Sequence, residues 1–138
     1  GPGMVAEALA TAAESIQAET RAMNVAGRVD DRTFIVVLQG EGIPGAWSFA
    51  NRVMAEAETR PAPWDARLRL NAGLAGYEED MEDPDQLLLR ARRALEAART
   101  LGSDAAVVFG GSPERALGIS GMFILQEDGQ LTEVHRLV

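Results

Sequence analysis

The sequence predicts an α/β fold, an α+β sandwich in which helices flank a mixed β-sheet and an extra hairpin follows at the C-terminus. Three observations predict it. Apolar residues recur at helical spacing in three separate stretches. β-rich runs lie between those stretches and after them. Two final apolar runs flank Asp128-Gly129, a strong hairpin signal.

The elements follow in order. Val5, Leu9, Ala12, Ile16 and Met23 mark an amphipathic helix from Val5 to about Ala22, with Glu7 in its first turn. Gly1-Pro2-Gly3 reads as a protease-cleavage remnant and is set aside, so the native chain begins near Met4 or Met4 is an arbitrary boundary. Asn24–Val29 and Thr33–Leu38, joined by Asp30-Asp31, make a hairpin. The second run is apolar on both faces and predicts an interior strand.

Gln39 to Gly45 has loop composition. Trp47, Ala50, Val53, Met54 and Ala57 mark a second helix, ended by Arg60-Pro61-Ala62-Pro63. Arg67 to Leu74 alternates with period two, the pattern of a half-buried strand. After an acidic loop, Asp83-Pro84 signals a helix start. Leu87, Leu88, Ala91, Ala94, Leu95 and Ala98 form that helix's apolar stripe, and Gly102 suits its C-terminal cap. Ala105–Phe109 is a strand, Gly110–Ser120 a linker, and the tail closes in the hairpin around Asp128-Gly129.

Composition bounds the chemistry. At 138 residues the chain fits one domain, which buries about two thirds of its unfolded surface. Cysteine is absent, which excludes disulfides, a thiolate nucleophile and a Cys-ligated metal; one histidine, His135, excludes a multi-His metal site within one chain. Lysine is absent too, and with it a P-loop or Schiff-base lysine. A net charge of −8 argues against non-specific binding to nucleic acid or to an anionic membrane. No apolar run approaches the ~20 residues of a membrane span, and no signal-peptide pattern is present, so a cytoplasmic location is expected.

Three segments together resemble the bacterial GGDEF domains, the diguanylate cyclases. Arg21-Ala22-Met23-Asn24 stands where that family has Arg-x-x-Asp, and Asp30-Asp31-Arg32-Thr33-Phe34 stands at the GGDEF hairpin turn. Leu70-Asn71-Ala72-Gly73-Leu74 and the helix Leu88–Arg99 follow in matching order and spacing. The likeness covers about Val5 to Phe109 and implies a nucleotidyl-cyclase-like mixed sheet flanked by helices.

The departures bear on function. In the family the turn glycines let the backbone approach a GTP phosphate, which a residue with a Cβ hinders. Here Asp30 and Asp31 add bulk and negative charge. Arg32 stands at the Mg²⁺-binding carboxylate, Thr33 replaces the next acid, and Phe34 alone is kept. The family's remaining metal carboxylates and guanine-reading residues lie on a strand and loop that this sequence lacks. The resemblance therefore implies a degenerate turn, no metal or cofactor, and no catalysis.

Many family members also bind cyclic di-GMP at a separate inhibitory site. Arg21 matches its first arginine, Arg52 falls in register with the arginine on the next helix, and Asn24 replaces the aspartate. Guanidinium groups suit phosphates and the acceptor edge of guanine. Asn in place of Asp loses an acceptor, a cost of ~1–3 kcal/mol. The competing reading makes Arg21 and Arg52 solvated helix arginines, with Glu19 near Arg21 and Glu56 one turn after Arg52.

Other candidates read as structural. The acidic run Glu78–Asp85 lacks the spaced ligands of a calcium loop and predicts a solvated loop with a helix cap. Arg90, Arg92, Arg93 and Arg99 predict salt bridges and a complement to the helix dipole. Trp47 and Trp64 are packing residues, and His135 is exposed.

The missing family strand is a central one, beside the GGDEF hairpin. The tail, residues 110–138, is the local candidate to complete the sheet, in cis or by exchange between chains. The expected function is a non-catalytic GGDEF-like module of cyclic di-GMP signalling, acting through a protein partner or a homodimer. The alternatives are a cyclic di-GMP receptor using Arg21, Asn24 and Arg52, and a residual nucleotide enzyme.

Overall fold

The computed structural model describes residues 2–19, 25–40, 42–60, 69–78, 81–102, 104–110 and 122–134. Its elements are α1 (Pro2–Glu19), β1 (Val25–Asp30), β2 (Thr33–Val37), α2 (Ile43–Thr59), β3 (Ala72–Leu74), α3 (Pro84–Leu101), β4 (Ala106–Phe109), β5 (Met122–Leu125) and β6 (Leu131–Val134). The chain divides into two compact units, Gly1–Glu41 with Phe49–Leu70, and Gly42–Ser48 with Asn71–Val138.

The first unit holds α1, the β1–β2 hairpin and most of α2. Ala12, Ser15 and Ile16 form the buried face of α1, while Val5 is exposed. Ser15 satisfies its buried hydroxyl by donating to the Thr11 carbonyl at 2.9 Å. Phe49, Val53 and Ala57 recur on the buried face of α2 at intervals of four. Ile16, Phe49 and Val53 make the core, with Phe34, Val36, Leu38 and Leu70 packed against it.

β1 and β2 pair antiparallel, with Val25 opposite Val37 and Arg28 opposite Phe34. The prediction of an interior strand for β2 is not met among the described residues, where β1 is its one partner. Its apolar pattern has a different source. Thr33 is buried and Phe34 to Val36 are half-buried, two of them against the helices' core residues.

The second unit is a four-stranded mixed sheet in the order β3-β4-β5-β6, with α3 packed on it. β3–β4 and β4–β5 are parallel, and β5–β6 is antiparallel. β4 is buried throughout, as a strand with neighbours on both edges should be. The alanine face of α3 (Ala94, Ala98) meets Val107, Phe109 and Leu125. The Asp83 side chain caps α3 by accepting from the Asp85 amide at 2.9 Å, with Pro84 in the first turn. The Gly102 amide closes the other end on the Ala98 carbonyl.

Several boundaries differ from expectation. α2 begins at Ile43 inside the expected loop, because Pro44 lies in the first turn, where a helix needs no amide donor. α1 starts at Pro2, inside the segment set aside as a remnant. The strand expected over Arg67–Leu74 is described only as Ala72–Leu74; residues 61–68 lie outside the described residues. The tail hairpin forms as expected, with Gly129 at φ 89°. It extends the second unit's sheet at β4, in cis, and takes neither β1 nor β2 as a partner.

Candidate functional site

The β1–β2 hairpin presents Asp30, Asp31 and Arg32 to solvent at its tip and buries Thr33. The strand register shifts between Arg28 and Asp30, which brings Asp30 opposite Thr33. The turn is tied by its own side chains. The Asp30 carboxylate Oδ1 accepts from the Arg32 backbone amide at 3.0 Å. Arg28 donates through Nε to the Asp30 carbonyl at 3.3 Å and through Nη2 to the Asp31 carbonyl at 2.8 Å. Its guanidinium lies 5.9 Å from the centroid of Phe34, its cross-strand partner. Sequence reasoning missed this role of Arg28. The signal was its place two residues before Asp30 and opposite the retained Phe34.

What such a turn can do chemically is limited. An amide that could face an anion is taken by an internal carboxylate, and the arginine neighbours the turn's carbonyls. Among the described residues no group of three or more His, Cys, Asp or Glu side chains could hold a metal ion.

Arg52 lies on the exposed side of α2, beside buried Val53. Its Nε donates to Glu19 Oε2 at 3.1 Å, an ion pair between α1 and α2. The pairing expected between Arg52 and Glu56 gives way to another. Glu56 instead meets Arg60 Nη2 at 2.9 Å, and Arg60 Nη1 also reaches Glu14 Oε2 at 3.2 Å. A glutamate four residues before its arginine is the better orientation on a helix, so Glu56–Arg60 forms in preference to Arg52–Glu56. Arg21 and Asn24 lie outside the described residues. The structure thus positions one of the three predicted ligand residues, at the end of α1 from which the chain runs on toward the other two.

The α3 arginines do more than complement the helix dipole. Arg90 and Arg93 lie over the Phe109 ring, at 5.5 and 5.0 Å from its centroid. Arg93 donates to the Glu127 carbonyl at 3.2 Å, and Arg90 is 3.6 Å from the Glu127 carboxylate. They join α3 to β4 and to the tail hairpin. Arg99 pairs with Glu96 one turn earlier. Trp47 is half-buried; Trp64 and His135 lie outside the described residues. In the acidic run, Asp83 serves as the cap of α3.

Comparison with known proteins agrees with this fold. The family model described as "Diguanylate cyclase, GGDEF domain" matches residues 1–105. The active GGEEF domain of a diguanylate cyclase from Vibrio cholerae has a similar structure, with TM-score 0.71 and 22% identity over 77% of this chain and 69% of that one. The diguanylate cyclase SiaD from Pseudomonas aeruginosa, solved in complex with its activator SiaC, is similar with TM-score 0.63 and 23% identity over 73% of this chain and 40% of that one. A search of curated proteins finds no match. No described helix is long and apolar enough to cross a membrane. The matched span of 105 residues takes in both hairpin and helices, and the chain belongs to the GGDEF family.

Proposed function

We propose that this chain is a non-catalytic GGDEF domain that acts in bacterial cyclic di-GMP signalling through contact with a protein partner or a second copy of itself. The observation that carries the reading is the hydrogen bond from the Arg32 amide to the Asp30 carboxylate, with Arg28 on the carbonyls of Asp30 and Asp31. The family's turn offers amides to phosphate and a carboxylate to Mg²⁺. This turn offers two aspartates and an arginine. The residues present do not fit a Mg²⁺–triphosphate, because Arg32 repels the metal and the two carboxylates repel the phosphates.

A protein partner is in keeping with the relative SiaD, which is solved with its activator SiaC. Residues 110–138 contribute the added β5–β6 hairpin, and an exchange of that tail between two chains is the route we infer to a homodimer. The location that fits this role is the cytoplasm. Calorimetry with GTP and Mg²⁺ tests the reading. It predicts no heat of binding, and saturable binding with a micromolar constant would overturn it.

One observation favours a second reading, that of a cyclic di-GMP receptor through Arg21, Asn24 and Arg52. Arg52 is held at Glu19, two residues before Arg21 and five before Asn24 in the sequence. Calorimetry with cyclic di-GMP on the wild type and on Arg21→Ala separates the readings. Binding by the wild type that Arg21→Ala abolishes supports the receptor; no heat with either leaves the interaction module.

A further inference from the structure

We propose that Glu19 is an internal competitor that gates Arg52, so that an anionic or guanine-bearing ligand must displace its carboxylate before it can use that arginine. The inference rests on the receptor reading above and concerns its regulation. The pair is tertiary: Glu19 closes α1 and Arg52 stands in the middle of α2, 33 residues further on. Their contact runs through Arg52 Nε at 3.1 Å. A guanidinium presents its donors as a planar fork, and a phosphate or a guanine edge engages the same fork that a carboxylate does. The occupants are therefore mutually exclusive at Nε.

Two features make the carboxylate displaceable. The pair is partly solvated, with side-chain exposures of 43% for Arg52 and 25% for Glu19, so its strength lies within the modest range of surface ion pairs. The same two helices are also tied elsewhere. Arg60 bonds both the carboxylate and the backbone carbonyl of Glu14, and Ile16 packs with Phe49 and Val53. Opening Glu19–Arg52 thus leaves the helix pair standing.

Titration calorimetry with cyclic di-GMP on the wild type, Glu19→Gln, Glu14→Gln, Arg52→Ala and the double variant Glu19→Gln/Arg52→Ala tests the gate. Glu19→Gln is expected to bind about two- to five-fold tighter than the wild type. Glu14→Gln removes the same charge from the same helix at a carboxylate that meets Arg60, and it is expected to match the wild type. Within the Arg52→Ala background, Glu19→Gln is expected to gain nothing. Binding by the wild type with an unchanged or weaker Glu19→Gln overturns the gate and leaves the receptor standing. An equal gain from Glu14→Gln also overturns it, since the effect is then one of overall charge. No heat with any of these proteins overturns the receptor and the gate together.

Discussion

Gly73 of β3 lies directly under the backbone of Leu95 in α3. A Cβ built on Gly73 would stand 2.2 Å from the Leu95 nitrogen and 2.3 Å from the Ala91 carbonyl oxygen. Neither atom belongs to a side chain that could turn aside. The close approach follows from the small residues that α3 and β3 put between them, and it sets the depth at which α3 sits on the second unit's sheet. Gly73→Ala is therefore expected to destabilise the protein by about 3 kcal/mol or more. Gly27→Ala, where an added Cβ meets nothing within 4 Å, should change stability by less than about 1 kcal/mol. Urea denaturation followed by circular dichroism distinguishes them.

The cap of α3 gives a smaller, well-defined effect. Asp83 accepts from the Asp85 amide, and no other side chain is recorded on that donor. Asp83→Ala is expected to cost about 1 kcal/mol, and Asp83→Ser to recover most of it. Thermal melts of the three proteins check the order.

At the hairpin tip, the Asp30 carboxylate protects the Arg32 amide. In Asp30→Ala that amide is expected to exchange with solvent several-fold faster, while the β1–β2 pairing and the global stability stay within about 1 kcal/mol of the wild type. Residue-resolved hydrogen exchange reads this directly. Unchanged protection at Arg32 would mean that another group shields it.

The tail is part of the second unit's core. Ile124 and Leu125 are 1% and 6% exposed, and β5 covers one edge of β4. Ending the chain at Gly110 removes both side chains, each contributing about 2 kcal/mol by burial, and bares the edge of an apolar strand. The truncated protein is expected to unfold or aggregate. A soluble, monomeric, folded product by size exclusion and circular dichroism would contradict the placement of β5.

Much of this architecture was legible because local chemistry and the tertiary fold agree. Asp83-Pro84 starts α3, Asp128-Gly129 turns the tail, and Asp30-Asp31 falls in the connection of the first hairpin. Failures came where tertiary context decides. The apolar pattern of β2 reads as an interior strand, yet its burial comes from the helices and its recorded pairing is with β1 alone. α2 starts before Trp47 because a proline in a first turn and a proline in a loop look alike in sequence. At the candidate sites the residue types were visible and their partners were not. Nothing local links Arg52 to Glu19 across 33 residues, and the nearer Glu56 was taken by Arg60. Arg28 likewise shows its role only once the strand register is known.

The absence of cyclase activity is tested most directly by incubating the chain at high concentration with GTP and Mg²⁺, beside a catalytically active GGDEF domain, and separating the nucleotides by chromatography. No cyclic di-GMP above the protein-free blank is predicted over a period in which the active domain consumes its GTP. Product that accumulates in proportion to this chain, and that substitutions in Asp30–Thr33 diminish, would contradict it.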